Sequence, residues 1–203
     1  MKMNTKANLS VIAKRATYTT LIGFMLCSSF IASAGSEAFK AGPVIKNYGK
    51  IAEVNSSLII PADMKFKVAF DLGSAAKPDE VNRSIETLAR FINMHVAAGV
   101  KLEDISLAMV VHGKAASDMT KDSFYQQLNA GSSNKSSNKK QSNANKDLIA
   151  ELVKQGVKFY VCGQTAAYYG ITADDLLPGV DMALSALTAH AVLANQGYSV
   201  NPF

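Results

Sequence analysis

Residues 105–111, Ile-Ser-Leu-Ala-Met-Val-Val, form a nearly continuous apolar run of strand length that stops at His112-Gly113. A strand wetted on one face alternates polar and apolar residues. One with almost no polar position is covered on both faces, as in the middle of a parallel sheet. Two more runs suit the same sheet. Lys65-Phe66-Lys67-Val68-Ala69-Phe70 alternates before turning apolar and ends at Asp71-Leu72-Gly73, and Val157-Lys158-Phe159-Tyr160-Val161 ends at Cys162-Gly163.

Helical periodicity fills the gaps between these runs. Val81, Ile85, Leu88, Ile92 and Val96 recur at three- and four-residue steps, opened by Pro78-Asp79-Glu80 and closed by Gly99. A weaker helical stretch covers residues 117–128, and Asn145 is expected to cap a helix carrying Leu148, Ile149, Leu152 and Val153. Residues 164–169 look helical, Thr172 and Asp175 have capping-box spacing, and 180–184 suggest a fourth strand. A last helix over 184–195 leads to an edge strand at 198–201. This alternation predicts an α/β fold, a three-layer sandwich around a mostly parallel sheet of about five strands with right-handed crossovers. A flavodoxin-like strand order would put the first strand between those ending at His112 and Cys162, separating the two positions by roughly 10 Å.

The N-terminus reads differently. Lys2, Lys6, Lys14 and Arg15, an apolar run from about Tyr18 to Ile31, and Ala32-Ser33-Ala34 have the layout of a cleavable secretory signal peptide over 1–34, cut after Ala34. A periplasmic or secreted protein is the expectation, with no membrane attachment after cleavage, since the apolar run is short for a bilayer span and Leu26 is too bulky for a lipoprotein signal at Cys27. Cleavage would remove four of the 21 basic residues and none of the 16 acidic ones. The remaining near-neutral chain has no field that would select nucleic acid or an anionic membrane. Residues 35–61 are expected to form an extended arm and 62–203 one α/β domain. Within that domain 129–145, almost wholly Gly, Ser, Asn, Lys and Gln, is expected to be a mobile polar insert.

Asp71, His112 and Cys162 each sit at the carboxyl end of an expected strand, where open α/β sheets bind their ligands. Cys162 is the one cysteine left after cleavage, so no internal disulfide explains it. It is either a small packing residue or a thiol that does chemistry. A helix beginning at Gly163-Gln164-Thr165 would turn unpaired N–H groups toward a thiolate, His112 could move a proton, and Asp71 could orient the imidazole. His95 and His190 are read as helix residues outside the site, Tyr168 and Tyr169 as packing or rim residues, and Asp174-Asp175 as serving a helix start. The sequence carries no Cys-x-x-Cys, no His-Glu-x-x-His, no phosphate loop and no dinucleotide fingerprint, so no metal or cofactor is expected.

At these residues the chain resembles the DsrE/DsrF-like family of small sulfur-relay proteins, specifically its exported branch. The likeness is carried by residues 157–165, by 169–180 (Tyr-Gly-Ile-Thr-Ala-Asp-Asp-Leu-Leu-Pro-Gly-Val), by Val110-Val111-His112-Gly113 and by Gln196-Gly197-Tyr198. The resemblance implies the three-layer DsrEFH-like subunit, assembly into a homo-oligomer such as a trimer, and a strand-end cysteine that passes sulfur as a persulfide between a donor and an acceptor. By position that cysteine is Cys162 and its polar companion His112. Two other readings of the same residues stay open: a non-catalytic small-ligand or protein-binding module in which Cys162 only packs, and a redox sensor reporting through Cys162 oxidation.

Overall fold

The computed structural model describes residues 35–129 and 141–201. Five strands, β1 (Phe66–Leu72), β2 (Ile105–Val111), β3 (Lys158–Cys162), β4 (Val180–Ala183) and β5 (Ser199–Asn201), form one all-parallel sheet in the order β4-β3-β2-β1-β5. The α/β sandwich is therefore as expected, but the strand order is not the flavodoxin-like one. β2, not β1, lies between the strands ending at Asp71 and Cys162. The chain steps in one direction from β1 to β4 and then jumps back past β1 to β5. With right-handed crossovers, this puts the early helices on one face and the last helix on the other.

The packing follows that rule. On one face α1 (Arg83–Ala97), α3 (Lys146–Lys154) and α4 (Gly163–Tyr169) bury Ile85, Leu88, Ile92, Leu148, Leu152 and Ala166 against Phe70, Met109 and Phe159. The opposite face is thinner. There α5 (Ala186–Asn195) lays Ala189 and Leu193 on Ala69, Ala108 and Val110, the two strand alanines allowing close approach. The remaining helix, α2 (Asp122–Asn129), follows a 3₁₀ stretch over Gly113–Met119, where one helix over 117–128 is expected from periodicity alone.

α1 begins at Arg83, not at Pro78, because the Asn82 side chain accepts the Ser84 N–H at 3.0 Å and so fixes the first turn. The arm at 35–61 is pinned through Asn93, in the middle of α1. Its Oδ1 accepts from Ile45 N (2.9 Å) and Val44 N (3.2 Å), while Nδ2 donates to the carbonyls of Ile45, Tyr48 and Gly49. Ile45 is thereby driven into the core. Of the expected polar insert, 130–140 lie outside the described residues, as does the expected leader over 1–34. Residues 141–145 are packed, with Asn143 and Asn145 wholly buried. Asn145 does not cap α3 through its side chain; its Oδ1 instead accepts from Asn82 N at 2.7 Å.

Asn93→Ala would strand five backbone groups of the arm. Urea unfolding should show a loss of about 2–4 kcal/mol, with limited proteolysis cutting first within 40–50. A loss below roughly 1 kcal/mol would mean the arm is held by Ile45 burial alone.

Candidate functional site

Side-chain alternation decides which strand-end residues can meet. Ala69 faces α5, so Asp71, two residues on, does too; the same holds for Val110 and His112 on β2 and for Tyr160 and Cys162 on β3. Register aligns them laterally. Val111 pairs with Leu72 on one side and Val161 on the other, so the next position, His112, falls between Gly73 and Cys162. His112 N continues the ladder by donating to Leu72 O at 2.9 Å. His112 and Cys162 thus end neighbouring strands, about 4.8 Å apart by backbone spacing, half the separation expected from a flavodoxin-like order.

Asp71 uses both carboxylate oxygens. Oδ2 meets His112 Nε2 at 3.0 Å and Oδ1 meets His190 Nε2 at 2.8 Å. Partial burial pushes the Asp71 carboxyl up, but the hydrogen bonds and charges of the two imidazoles outweigh it and hold the group below its ordinary value of 3.8. An ionised carboxylate only accepts, so each histidine presents Nε2–H to it, and in the neutral form of either ring Nδ1 is then the acceptor nitrogen. His190 Nδ1 is buried and has no partner among the described residues. Gly73 is required beside this pair, since a Cβ there would stand 2.8 Å from His112 Cε1.

Cys162 closes β3 and caps α4, and its residue surface is 6% exposed. Its surroundings are polar. Burial pushes the thiol up, yet the Thr165 N–H, the Ala186 N–H, the Thr165 hydroxyl and the Gln164 N–H together bring it below 9.0. The Cys162 side chain makes no cap bond to the first turn of α4. Thr165 ties the site together: its Oγ1 accepts the Gly113 N–H at 3.2 Å, leaving the hydroxyl proton for the sulfur. Gly163 is no donor here but a spacer, because a Cβ would lie 2.6 Å from Ala183 O, and Gln164 Nε2 bonds Leu184 O at 3.2 Å.

Two participants were not evident from periodicity. His190 is read from sequence as a helix residue outside the site, but it shares the sheet-facing stripe of α5 with Ala186 and Leu193, and four residues after Ala186 it reaches Asp71. Ala186 contributes only its N–H, which no side-chain pattern reveals. Other assignments stand as expected. His95 stacks on Phe91 with its Nδ1 on Phe91 O, and Asp175 completes a capping box with Thr172. Among the described residues no three His, Cys, Asp or Glu side chains converge as a metal would require, and no helix is long and apolar enough to cross a membrane.

The chain is an all-parallel α/β sandwich with a cysteine at the sheet's carboxyl edge. The family model named DsrE/DsrF-like family matches residues 65–202, and the chain belongs to that family, which supports a sulfur-relay-related role in general. Among solved structures it is similar to the protein of unknown function MTH1491 from Methanobacterium thermoautotrophicum, at 19% identity and a TM-score of 0.47 over 68% of this chain and 100% of that one. It is also similar to the YchN protein of E. coli, at 14% identity and 0.45 over 68% and 99% of the respective chains. No functionally curated protein matches it.

Thr165→Val removes the hydroxyl donor while keeping the shape of the side chain. The rate of Cys162 alkylation by iodoacetamide, followed against pH, should shift its midpoint upward. An unmoved midpoint would exclude the hydroxyl from any part in thiolate stabilisation.

Proposed function

We propose that the protein handles sulfur outside the cytoplasm, with Cys162 carrying sulfane sulfur as a persulfide. The observation that supports this best is the ring of N–H and O–H donors from Thr165, Gln164 and Ala186 around a sulfur that makes no disulfide. The His112 lone pair takes the thiol proton and Asp71, held also by His190, keeps that imidazole in the tautomer required. With a donor such as thiosulfate, the thiolate attacks the outer sulfur, a new S–S bond forms, the donor's S–S bond breaks and sulfite leaves with the electron pair. Total charge is −3 on both sides, and the persulfide anion inherits the same donors. Location outside the cytoplasm rests on the signal-peptide pattern of residues 1–34.

Burial of Cys162 to 6% exposure favours a second reading, in which the thiol packs and the crevice binds a small ligand or a partner without chemistry. Intact-mass spectrometry after incubation with polysulfide, or with thiosulfate and a sulfurtransferase, separates the two. The relay reading expects the mass of one added sulfur atom, removed by dithiothreitol and absent in Cys162→Ser. Persistent absence of the adduct, with iodoacetamide reacting only after denaturation, supports the packing reading.

We also propose self-assembly, the partner being a second copy, through the edge strand β4 and the outer side of α5. Leu184 and Leu187 are 72% and 84% exposed, and Met182, Leu184 and Val192 line a groove of about 250 Å³ there. Light scattering should give a multiple of the subunit mass that falls to the single subunit in Leu187→Glu. A monomer in the unaltered protein would remove this proposal.

A further inference from the structure

The loop from Gly73 to Pro78, between β1 and α1, is fixed at unusual cost. Beneath it lies Asp118, wholly buried, whose Oδ2 accepts from Ala76 N (2.9 Å) and Asn82 Nδ2 (2.8 Å); Asn82 Nδ2 also donates to Ser74 O at 2.9 Å. Asn82 is held in turn by Asn145, and Asn145 by Asn143, which bonds the carbonyls of Asp118 and Thr120. A carboxyl in the interior is expensive, and burial pushes that of Asp118 above its ordinary range. Asp118 Oδ1 has no partner among the described residues. Apart from linking neighbouring segments, the network sets the backbone of residues 74–76.

That backbone lines a cleft of about 530 Å³ at the carboxyl end of the sheet, a size suited to a small molecule. Three N–H groups of the loop, those of Ser74, Ala75 and Lys77, have no hydrogen-bond partner among the described residues. Two lysines, Lys77 and Lys114, stand on the lining, and neither forms an ion pair within the described residues. Asp79 and Glu80 follow in the chain but neither lines the cleft. Uncommitted amides and unpaired ammonium groups on the lining of one cleft favour an anionic occupant over a cationic one. The cleft adjoins the site already described through Gly73, which lines it and abuts the His112 imidazole.

We infer that this cleft is a binding site for a small oxyanion, a sulfate-, thiosulfate- or phosphate-type group, held by the amides of Ser74, Ala75 and Lys77 and the ammonium groups of Lys77 and Lys114. If Cys162 carries sulfur, as proposed above, the occupant is the anionic portion of the donor. The anion site itself depends on no property of the thiol.

Isothermal titration calorimetry of the purified protein with sodium sulfate, thiosulfate and phosphate at low ionic strength tests it. At least one should bind one-to-one at or below millimolar concentration, and the affinity should fall as salt is raised. The double variant K77Q/K114Q should bind that anion about tenfold or more weakly, the loss expected for charge-assisted contacts. Cys162→Ser should bind as the unaltered protein does. A preference for thiosulfate over sulfate and phosphate marks the sulfur-bearing anion as the occupant, and equal affinities mark a general oxyanion site. Failure of all three to bind, or undiminished binding by K77Q/K114Q, overturns the inference. Anion binding without any sulfur adduct on Cys162 counts against the relay alone, and adduct formation without anion binding counts against the cleft alone.

Discussion

The parallel pairing of β2 with both β1 and β3 is the constraint on which the rest depends. It fixes register on both sides of the central strand, so that Asp71, His112 and Cys162 emerge along one edge and on one face, under α5. Slipping either pairing by one residue would turn that strand's whole set of side chains to the opposite face. Nothing about the three residues individually brings them together; hydrogen bonds along the strands do. Two glycines then remove the steric obstacles, Gly73 beside the imidazole and Gly163 beside the β4 backbone.

On this frame the electrostatics proceed from one group to the next. A thiol removed from water would ordinarily hold its proton, and a carboxylate between two imidazoles would ordinarily lose its own. The donors around Cys162 reverse the first tendency, and the two histidines reinforce the second. Thr165 connects the β2 and β3 loops, since it accepts from Gly113 and faces the sulfur, so movement of either loop alters the thiolate's surroundings. α5 has a double part: its first N–H meets Cys162 and its histidine meets Asp71, while its outer surface is left apolar.

Much of this was legible from residues alone. The apolar run at 105–111 matches β2 residue for residue, the capping spacing of Thr172 and Asp175 is a real capping box, and the three strand-end residues are where the alternation puts them. Strand order was not legible, because periodicity describes each element and says nothing of its neighbours in the sheet. Asn93 gives no signal in the sequence for a related reason: a polar residue on the inward side of a helix has no visible partner until the arm that satisfies it is in place. Composition misled at Asn143 and Asn145, which sit in a polar stretch yet are buried because they bond one another and the backbone. His190 was hidden by distance in sequence, 119 residues from the carboxylate it completes.

Belonging to the DsrE/DsrF-like family and carrying a donor-ringed cysteine are consistent facts, joined by one physical claim: that the Cys162 thiol ionises more readily than an ordinary one. Thiolate absorbance in the far ultraviolet, titrated against pH with Cys162→Ser as the blank, measures this without relying on any substrate. A midpoint below that of a free cysteine thiol titrated in the same way is the predicted result. A midpoint at or above that value would contradict the account, since the cost of burial would then have overcome the donors that face the sulfur.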